Sequence, residues 1–302
     1  MFSKIHQAAQ QIGEVLVGKH LQIRQTLACV LAGGHLLIED VPGVGTTTLA
    51  HALAISLGLQ WKRQQFTSDL LPADVAGMSV YDRVSASFIF HPGPLFTQVL
   101  LADEINRATP KTQSGLLEAM EERQVTLDGV THTLPQPFFV IATQNCAHQL
   151  GTFPLPESQL DRFLMCVTLG YPDAAAERAL LLGADRRAML QTLPAVMNAE
   201  ELLQAQAGLR AIHASPAVVD YVLALVHATR APGVFADGLS PRAALALLQA
   251  ARAWAALAGR DHVTPDDVQA VLLPVCAHRL HAAQGTTDSR ALLQHLLLSI
   301  PV

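Results

Sequence analysis

The amino-acid sequence predicts an α/β fold, in which a nucleotide-binding domain with a parallel sheet and inserted hairpins is followed by a small all-α domain. Short apolar runs at 36–38, 99–102 and 138–142 are each followed by polar residues, as expected for buried parallel strands that end at one sheet edge. A Pro-Gly turn joins the first run to a helical stretch at 47–57. From about residue 171 the sequence becomes rich in Ala and Leu at helical spacing.

Length and composition limit the class of protein. The 302 residues correspond to roughly two domains of ~150 residues. Half of the residues are hydrophobic, yet no uninterrupted apolar run reaches the ~18 residues of a membrane span, so we expect a soluble protein. The N-terminal segment has no signal-peptide pattern, which predicts a cytoplasmic location. The four cysteines have no paired spacing and are expected in the core, not in disulfides or a zinc site: Cys29, Cys146, Cys166 and Cys276.

The N-terminal segment predicts two helices and then a strand. Apolar residues between 4 and 32 recur at mostly helical spacing, with a break at Val17-Gly18. Leu36-Leu37-Ile38 lies between two glycine-containing turns, as expected for a short buried strand. The helix that follows the next loop ends near Gly58.

The loop at 38–48 has the chemistry of an anion-binding site. A strand, a tight Pro-Gly turn and a helix N-terminus bring several backbone N–H groups into one concavity. The phosphate-loop pattern G-x-x-x-x-G-K-[ST] is matched at Gly45 and Thr47, but Asp40 stands at its first glycine and Thr46 at its lysine. Because Gly-Thr turns before helices are common, this stretch alone fits an ordinary turn equally well.

Two hairpins are predicted outside the sheet. The segment 64–94 is polar and rich in turns, and its strands at 79–81 and 88–90 flank a turn at 82–85. After a helix over 113–122, a second hairpin joins 125–127 to 131–134 across Asp128-Gly129.

Two carboxylates, Asp103 and Glu104, end the apolar run at 99–102. In nucleotide triphosphatases an Asp at this position supports Mg²⁺ and a following Glu can polarise the attacking water. Considered in isolation, this dipeptide is better explained by a strand that ends in solvent, with an Asp that caps the following helix. Beside the loop at 43–47, the Mg²⁺ and water-activating roles become the favoured explanation. The polar residues Thr143-Gln144-Asn145 follow the third apolar run, and open α/β sheets bind ligands at this edge.

Several motifs, in this order along the chain, resemble those of the MoxR family of AAA+ ATPases. The resemblance covers essentially the whole chain, and Thr46 is its main departure. The motifs are the phosphate loop at 42–47, Phe-His-Pro-Gly-Pro at 90–94, Leu-Ala-Asp-Glu-Ile-Asn-Arg-Ala at 101–108, Ala-Thr-Gln-Asn at 142–145 and the segment 154–163 that ends in Leu-Asp-Arg-Phe.

The resemblance implies a role for each matching residue. Gly43, Gly45 and Thr47 would bind phosphates, Thr47 and Asp103 would support Mg²⁺, and Glu104 would activate water. Asn145 would be the sensor that orients this water, and Arg162 the arginine finger for a neighbouring subunit's ATP. The remaining implied nucleotide contacts are the adenine-site pair Val17 and Gly18 and the loop residues Pro42, Val44, Thr46 and Thr48.

The family resemblance also divides the chain into an AAA+ nucleotide-binding domain over 1–170 and a helical lid over 171–302. In the lid, Ser240-Pro241 predicts a helix start and places Arg242 in its first turn. An arginine there opposes the helix dipole, so we expect an anionic partner. In the family this position resembles the second sensor, which closes on the γ-phosphate.

The implied function is that of a chaperone-like motor that uses ATP and Mg²⁺ to remodel or activate a client protein. The resemblance implies a homo-oligomer, a hexameric ring, with the two hairpins facing its pore. It also implies a client protein, such as one with a von Willebrand A-type domain. From the composition we expect neither nucleic-acid binding nor direct membrane insertion. A DNA-working machine is disfavoured by the net charge of −5.

Thr46 keeps a second function open, that of a nucleotide-gated binding scaffold with little or no ATP turnover. Threonine cannot replace the lysine ammonium that bridges phosphate oxygens, so we expect nucleotide binding with slow hydrolysis. Among nearby basic residues, Lys62, Arg63 and Lys111 lie outside the loop in sequence, and none is an evident substitute.

Overall fold

The computed structural model describes residues 2–145, 151–183, 185–283 and 288–301. Its strands are β1 (Leu36–Glu39), β2 (Trp61–Gln65), β3 (Gly77–Asp82), β4 (Ser87–Pro92), β5 (Val99–Asp103), β6 (Gln124–Leu127), β7 (Val130–Thr133), β8 (Phe139–Gln144) and β9 (Met165–Val167). Its helices are α1 (Phe2–Val15), α2 (His20–Leu31), α3 (Thr46–Ser56), α4 (Pro72–Ala76), α5 (Pro110–Glu122), α6 (Glu157–Leu160), α7 (Ala174–Leu182), α8 (Arg186–Thr192), α9 (Ala199–Gly208), α10 (Pro216–Thr229), α11 (Pro241–Leu257), α12 (Pro265–Cys276) and α13 (Ser289–Ser299).

The central sheet has five parallel strands in the order β2-β5-β8-β1-β9. The three predicted apolar runs form β1, β5 and β8, which are interior strands covered on both faces. Successive side chains point to opposite faces, so each strand contributes to two apolar clusters. Leu36, Val99 and Ile141 face the cluster that includes α1, α2 and α3, whereas Leu37, Leu100 and Val140 face the cluster that includes α5.

Two strands of this sheet were not predicted. The edge strand β2 is formed by Trp61-Lys62-Arg63-Gln64-Gln65. The sequence instead predicts a polar, turn-rich insertion that starts at Gln64. Strand β2 lacks the apolar pattern of a buried strand because its side chains are half-buried or exposed. The other edge strand, β9, has only three residues and is too short for a periodic pattern.

Both predicted hairpins are present as separate two-stranded antiparallel sheets, β3-β4 and β6-β7. Asp128 and Gly129 have φ angles of +52° and +79° at the tip of the second hairpin, as a type I′ turn requires. In the first hairpin, the Asp82 carboxylate accepts hydrogen bonds from the backbone N–H groups of Val84 and Ser85 and thereby closes a longer turn.

Helix starts follow local capping chemistry. The hydroxyl oxygen of Ser240 accepts a hydrogen bond from the N–H of Ala243 at 3.1 Å, and Pro241 is the first residue of α11, as predicted. Helix α5 begins at Pro110 and not at Gln113, because Thr109 caps it and proline is favoured in the first turn.

The regular elements after β9 are all helices in the part of the chain that the structure describes. Helix α11 packs against α12 and also against α2, and one continuous apolar cluster includes all three helices. The division of the chain at residue 170 therefore stays a prediction. None of the described helices is long and apolar enough to cross a lipid bilayer.

Three of the cysteines, Cys29, Cys166 and Cys276, are buried and form no disulfide. Burial raises the pKa of the Cys29 thiol above its usual range and that of Cys276 to about 12, so both thiols stay protonated. Cys146 lies outside the described residues.

Candidate functional site

A cleft of about 370 Å³ lies at the carboxyl ends of β1, β5 and β8, in front of the N-terminus of α3. This is the edge where parallel α/β sheets bind ligands, and β1 lies where the strand order reverses. The cleft is lined by Ile38, Asp40, Val41, Pro42, Gly43, Gly45, Thr46, Thr47, Thr48, Arg63, Gln65, Asp103, Glu104, Thr143, Gln144 and Asn145.

The loop between β1 and α3 has a conformation that favours glycine. Gly43 and Gly45 have φ angles of +89° and +106°, and a Cβ atom at Gly45 would lie 2.8 Å from the Cδ1 atom of Leu16. Gly45 is the N-cap of α3, and the first turn of this helix has neither a side-chain cap nor an acidic residue. The backbone N–H groups of this first turn have no hydrogen-bond acceptor within the helix, so this end of α3 can bind an anion.

Asp40, which stands at the first glycine of the phosphate-loop pattern, fixes the base of the loop. Its Oδ1 atom accepts a hydrogen bond from the N–H of Val41 at 2.8 Å, and its Oδ2 atom accepts one from the N–H of Gly170 at 2.7 Å. The carboxylate therefore ties the loop to the segment that follows β9.

Asp103 and Glu104 line the same cleft as the loop and share a hydrogen-bond network with β8. The hydroxyl of Thr143 donates to Oδ1 of Asp103 at 2.8 Å, and its oxygen accepts from the N–H of Glu104 at 2.8 Å. Glu104 has a φ angle of +55°, an uncommon conformation for a residue with a Cβ atom, and its Oε2 atom accepts from the Nη1 atom of Arg107 at 2.9 Å. Thr143 thus fixes the backbone that directs both carboxylates.

The edge strand β2 adds two polar side chains to the cleft. The Nε and Nη2 atoms of Arg63 donate to Oδ2 of Asp103 at 2.9 and 2.6 Å. The Nε2 atom of Gln65 donates to Oε2 of Glu104 at 2.8 Å. Arg63 therefore lines the cleft although it lies outside the loop in sequence, because β2 pairs with β5. The sequence signal that could have indicated these two side chains is the spacing of Arg63 and Gln65, which places both on one face of a strand just before a turn-rich insertion.

Asn145 also lines the cleft, directly after β8, and its backbone oxygen accepts a hydrogen bond from the Nδ2 atom of Asn106 at 3.4 Å. The oxygen atoms available near the loop fit a magnesium ion bound together with phosphates, since Mg²⁺ in such sites uses one or two carboxylates plus phosphate oxygens. Thr47 and Asp103 provide such oxygens. Among the described residues, no group of three or more His, Cys, Asp or Glu side chains could hold a metal ion by itself.

Arg162 and Arg242 do not line the cleft, and both contact Glu121 at the end of α5. The Nε atom of Arg162 lies 3.3 Å from Oε2 of Glu121, and the Nη2 atom of Arg242 lies 2.6 Å from Oε1. Arg242 also lies 3.7 Å from Asp161, which in turn pairs with Arg279. The anionic partner expected for Arg242 is, in this structure, the Glu121 carboxylate.

The remaining predicted nucleotide contacts, Val17, Gly18 and Val44, also lie outside the residues that line the cleft. Gly18 has a φ angle of +75° in the turn between α1 and α2, and a Cβ atom there would lie 2.7 Å from the Cβ of Ala176 in α7. Close packing against α7 is therefore one reason for glycine at this position.

Comparison with protein families gives two matches. The family described as "ATPase family associated with various cellular activities (AAA)" matches residues 35–165, a range that contains the loop, both carboxylates and Asn145. The family described as "AAA lid domain" matches residues 227–296, which contain Arg242.

The chain is also similar to individual proteins over most of its length. It is 45% identical to the uncharacterized protein YeaC of Bacillus subtilis, with 90% of this chain and 85% of YeaC covered. It is 39% identical to "Chaperone MoxR1" of Mycobacterium tuberculosis, with 91% and 75% covered. It is 33% identical to "Protein MoxR" of Paracoccus denitrificans, with 99% and 96% covered. The crystal structure of a candidate ATPase from Cytophaga hutchinsonii superposes with a TM-score of 0.90 at 34% identity, covering 99% of this chain and 95% of that one.

Proposed function

This chain belongs to the MoxR family of AAA+ ATPases, and we propose that it binds ATP in the cleft at α3 and couples slow hydrolysis to the remodelling of a client protein. One observation supports this proposal above the others. The uncapped N-terminus of α3, with its Gly43 to Thr47 loop, shares a cleft with the adjacent carboxylates Asp103 and Glu104. A triphosphate needs this combination of anion-binding amides, metal-supporting oxygen and water-activating carboxylate.

The loop amides would bind the phosphates, and Thr47 and Asp103 would hold Mg²⁺, which neutralises phosphate charge when bound. Glu104 would orient and activate the attacking water, with Asn145 beside it. The hydrogen bonds from Thr143 and Gln65 hold the Asp103–Glu104 segment in one orientation, and a fixed orientation is what catalysis by positioning requires.

We further propose that the active form is a ring, a hexamer in keeping with the family resemblance. Arg162 lies outside its own cleft, on Glu121, and is 31% exposed. This position fits a residue that serves the ATP of a neighbouring subunit, and repeated head-to-tail contacts close into rings. Arg242 contacts the same carboxylate, so to reach a nucleotide as the second sensor it has to leave Glu121.

The hairpin β3-β4 is the proposed client-binding element. Its exposed apolar side chains include Val84, Phe88 and Tyr81, with relative exposures of 96%, 73% and 52%. Monomeric proteins seldom expose several large apolar side chains on one small element unless it binds a partner. The word "chaperone" in the name of the Mycobacterium tuberculosis relative is in keeping with a protein client. On the basis of the family resemblance, we propose a client with a von Willebrand A-type domain.

Mixing two inactive variants tests the shared site. We expect Glu104→Gln to bind ATP without cleaving it, because the amide keeps the shape and loses the base, and Arg162→Ala to be slow. In an equimolar mixture, about a quarter of the sites pair an intact Glu104 with an intact Arg162 from the neighbour, since subunits assemble at random. Phosphate release near a quarter of the parent rate supports the shared site.

Each variant alone at the same total concentration is the control, and the Thr46→Lys background can be used to raise the signal. No activity above either variant alone would refute the role of Arg162 in trans. Sedimentation with a non-hydrolysable ATP analogue tests the ring separately, and a strict monomer at micromolar concentration with and without nucleotide would refute it.

Thr46 favours a second candidate, a nucleotide-gated scaffold that turns over little or no ATP. In this case nucleotide binding would still change sedimentation or client affinity. Phosphate release would stay at the background level of a Glu104→Gln control.

A further inference from the structure

Arg63 is the only basic side chain among the described residues that line the cleft. The carboxylates of Asp40, Asp103 and Glu104 line the same cleft, and Asp40 is already bound by two backbone N–H groups. A polyphosphate brought into this site meets an excess of negative charge. Amides at one helix end offset only part of it.

The position of Arg63 follows from the strand register of β2. Trp61, Arg63 and Gln65 lie on one face of β2, and their Cα partners on β5 are Val99, Leu101 and Asp103. Trp61 stacks on His51 of α3 with ring centroids 4.3 Å apart, which holds the strand beside the helix whose N-terminus forms the phosphate cradle. Two residues further along, the same face reaches the cleft at Arg63.

We propose that Arg63 is the phosphate-binding cation of this site and takes the place of the lysine that Thr46 replaces. The proposal rests on the function proposed above, ATP binding in this cleft. Without nucleotide, the Arg63 guanidinium neutralises Asp103. With nucleotide, it exchanges the Asp103 carboxylate for β- and γ-phosphate oxygens and leaves Asp103 available as a metal-supporting oxygen.

The chemistry of the guanidinium suits this exchange. It is always charged, and its planar fork matches phosphate and carboxylate oxygens equally well. One set of charge-assisted hydrogen bonds therefore replaces another. The Arg63 side chain is 49% exposed, so its movement does not disturb the packed core.

Calorimetric titration of ATP into Arg63→Gln tests the proposal. We expect ATP affinity to fall about tenfold to hundredfold, the effect of one charge-assisted hydrogen bond, with a smaller loss for ADP, which lacks the γ-phosphate. The matched control is Lys62→Gln, because Lys62 has the same charge, lies on the other face of β2 and contacts the carbonyl oxygen of Gly93 at 3.4 Å. Its ATP affinity should stay within about twofold of the parent, as for an exposed contact outside the site.

A second variant separates direct phosphate binding from mere neutralisation of Asp103. ATP is titrated in EDTA, so that no metal contributes, into the parent, Arg63→Gln and the double variant Arg63→Gln/Asp103→Asn. We expect the double variant to remain weak, because the phosphate still lacks its cation. Full recovery of parent affinity would show that Arg63 acts only by masking Asp103, and would overturn the proposal.

The remaining outcomes are also distinguishable. If the parent binds ATP and Arg63→Gln binds it equally well, this inference fails while the proposed function stands. If the parent binds no ATP, both fail. Thermal unfolding checks that each variant is folded. Should Arg63→Gln not fold, labelling of the unaltered chain with phenylglyoxal and mass mapping decides the matter: ATP should protect Arg63 from modification, and an unchanged labelling rate overturns the proposal.

Discussion

Restoring the lysine of the phosphate loop is the most direct test of how this site works. Thr46 is the first residue of α3 and lines the cleft, so a lysine there begins at the base of the phosphate cradle. We expect Thr46→Lys to raise the rate of ATP hydrolysis and to raise ATP affinity less. The ammonium offsets charge that develops during phosphoryl transfer and therefore stabilises the transition state more than the bound substrate.

The size of the effect follows from the charges of the cleft. One added charge-assisted hydrogen bond contributes roughly 1.5–3 kcal/mol, and ~1.4 kcal/mol corresponds to a tenfold rate, so kcat should rise about tenfold to hundredfold. Arg63 already provides one positive charge beside three lining carboxylates. We therefore expect a value near the lower end, and a larger gain when Thr46→Lys is made in the Arg63→Gln background.

The assay is phosphate release at saturating ATP and Mg²⁺, together with nucleotide titration by calorimetry. Thr46→Gln is the control, because it lengthens the side chain and adds donors without adding charge. Equal turnover by the parent and Thr46→Lys would show that this site does not need the lysine. Equal gains from lysine and glutamine would show that charge is not the cause.

Two further predictions concern stability. Asp267→Ala should lower the free energy of unfolding by about 2–4 kcal/mol, measured by urea titration, because the buried Asp267 carboxylate loses its hydrogen bonds from Arg260 and from the Thr264 N–H that caps α12. The control is the exposed Asp266→Ala, which should cost under about 1 kcal/mol. Equal costs for the two variants would contradict this account. Acid should also destabilise the fold, because burial lowers the pKa of His35 to about 4, whereas a histidine in the unfolded chain has a pKa of about 6.5. The native state then binds fewer protons at His35 within this window, so the contribution of this residue to stability is full above about pH 6.5 and falls by up to about 3 kcal/mol toward pH 4. Burial likewise lowers the pKa of His278 to about 3, so the loss measured for the whole protein should be larger. A profile that stays flat between these pH values would contradict the neutral, buried state of His35, whose Nδ1 atom accepts from the N–H of Val140 at 3.0 Å.

The sequence alone determined the elements whose signals are local. Apolar runs that end in polar residues predicted three interior strands and the edge at which the loop, Asp103, Glu104 and Asn145 converge. Asp128-Gly129 predicted a hairpin turn, and Ser240-Pro241 predicted the start of α11. These features depend on backbone conformation, capping and burial within a few neighbouring residues, so they can be read without knowing which segments pair.

Only the tertiary structure decided which distant side chains complete or surround the site. Arg63 reaches Asp103 across 40 positions of the chain because β2 pairs with β5, and a polar edge strand has no apolar pattern that would reveal this pairing. Glu121 holds Arg162 and Arg242, the latter 121 positions away, because the start of α11 comes to lie near the end of α5. Hydrogen bonds and ion pairs of this kind depend on distances set by the packing of the whole core, and residue order along the chain does not specify those distances.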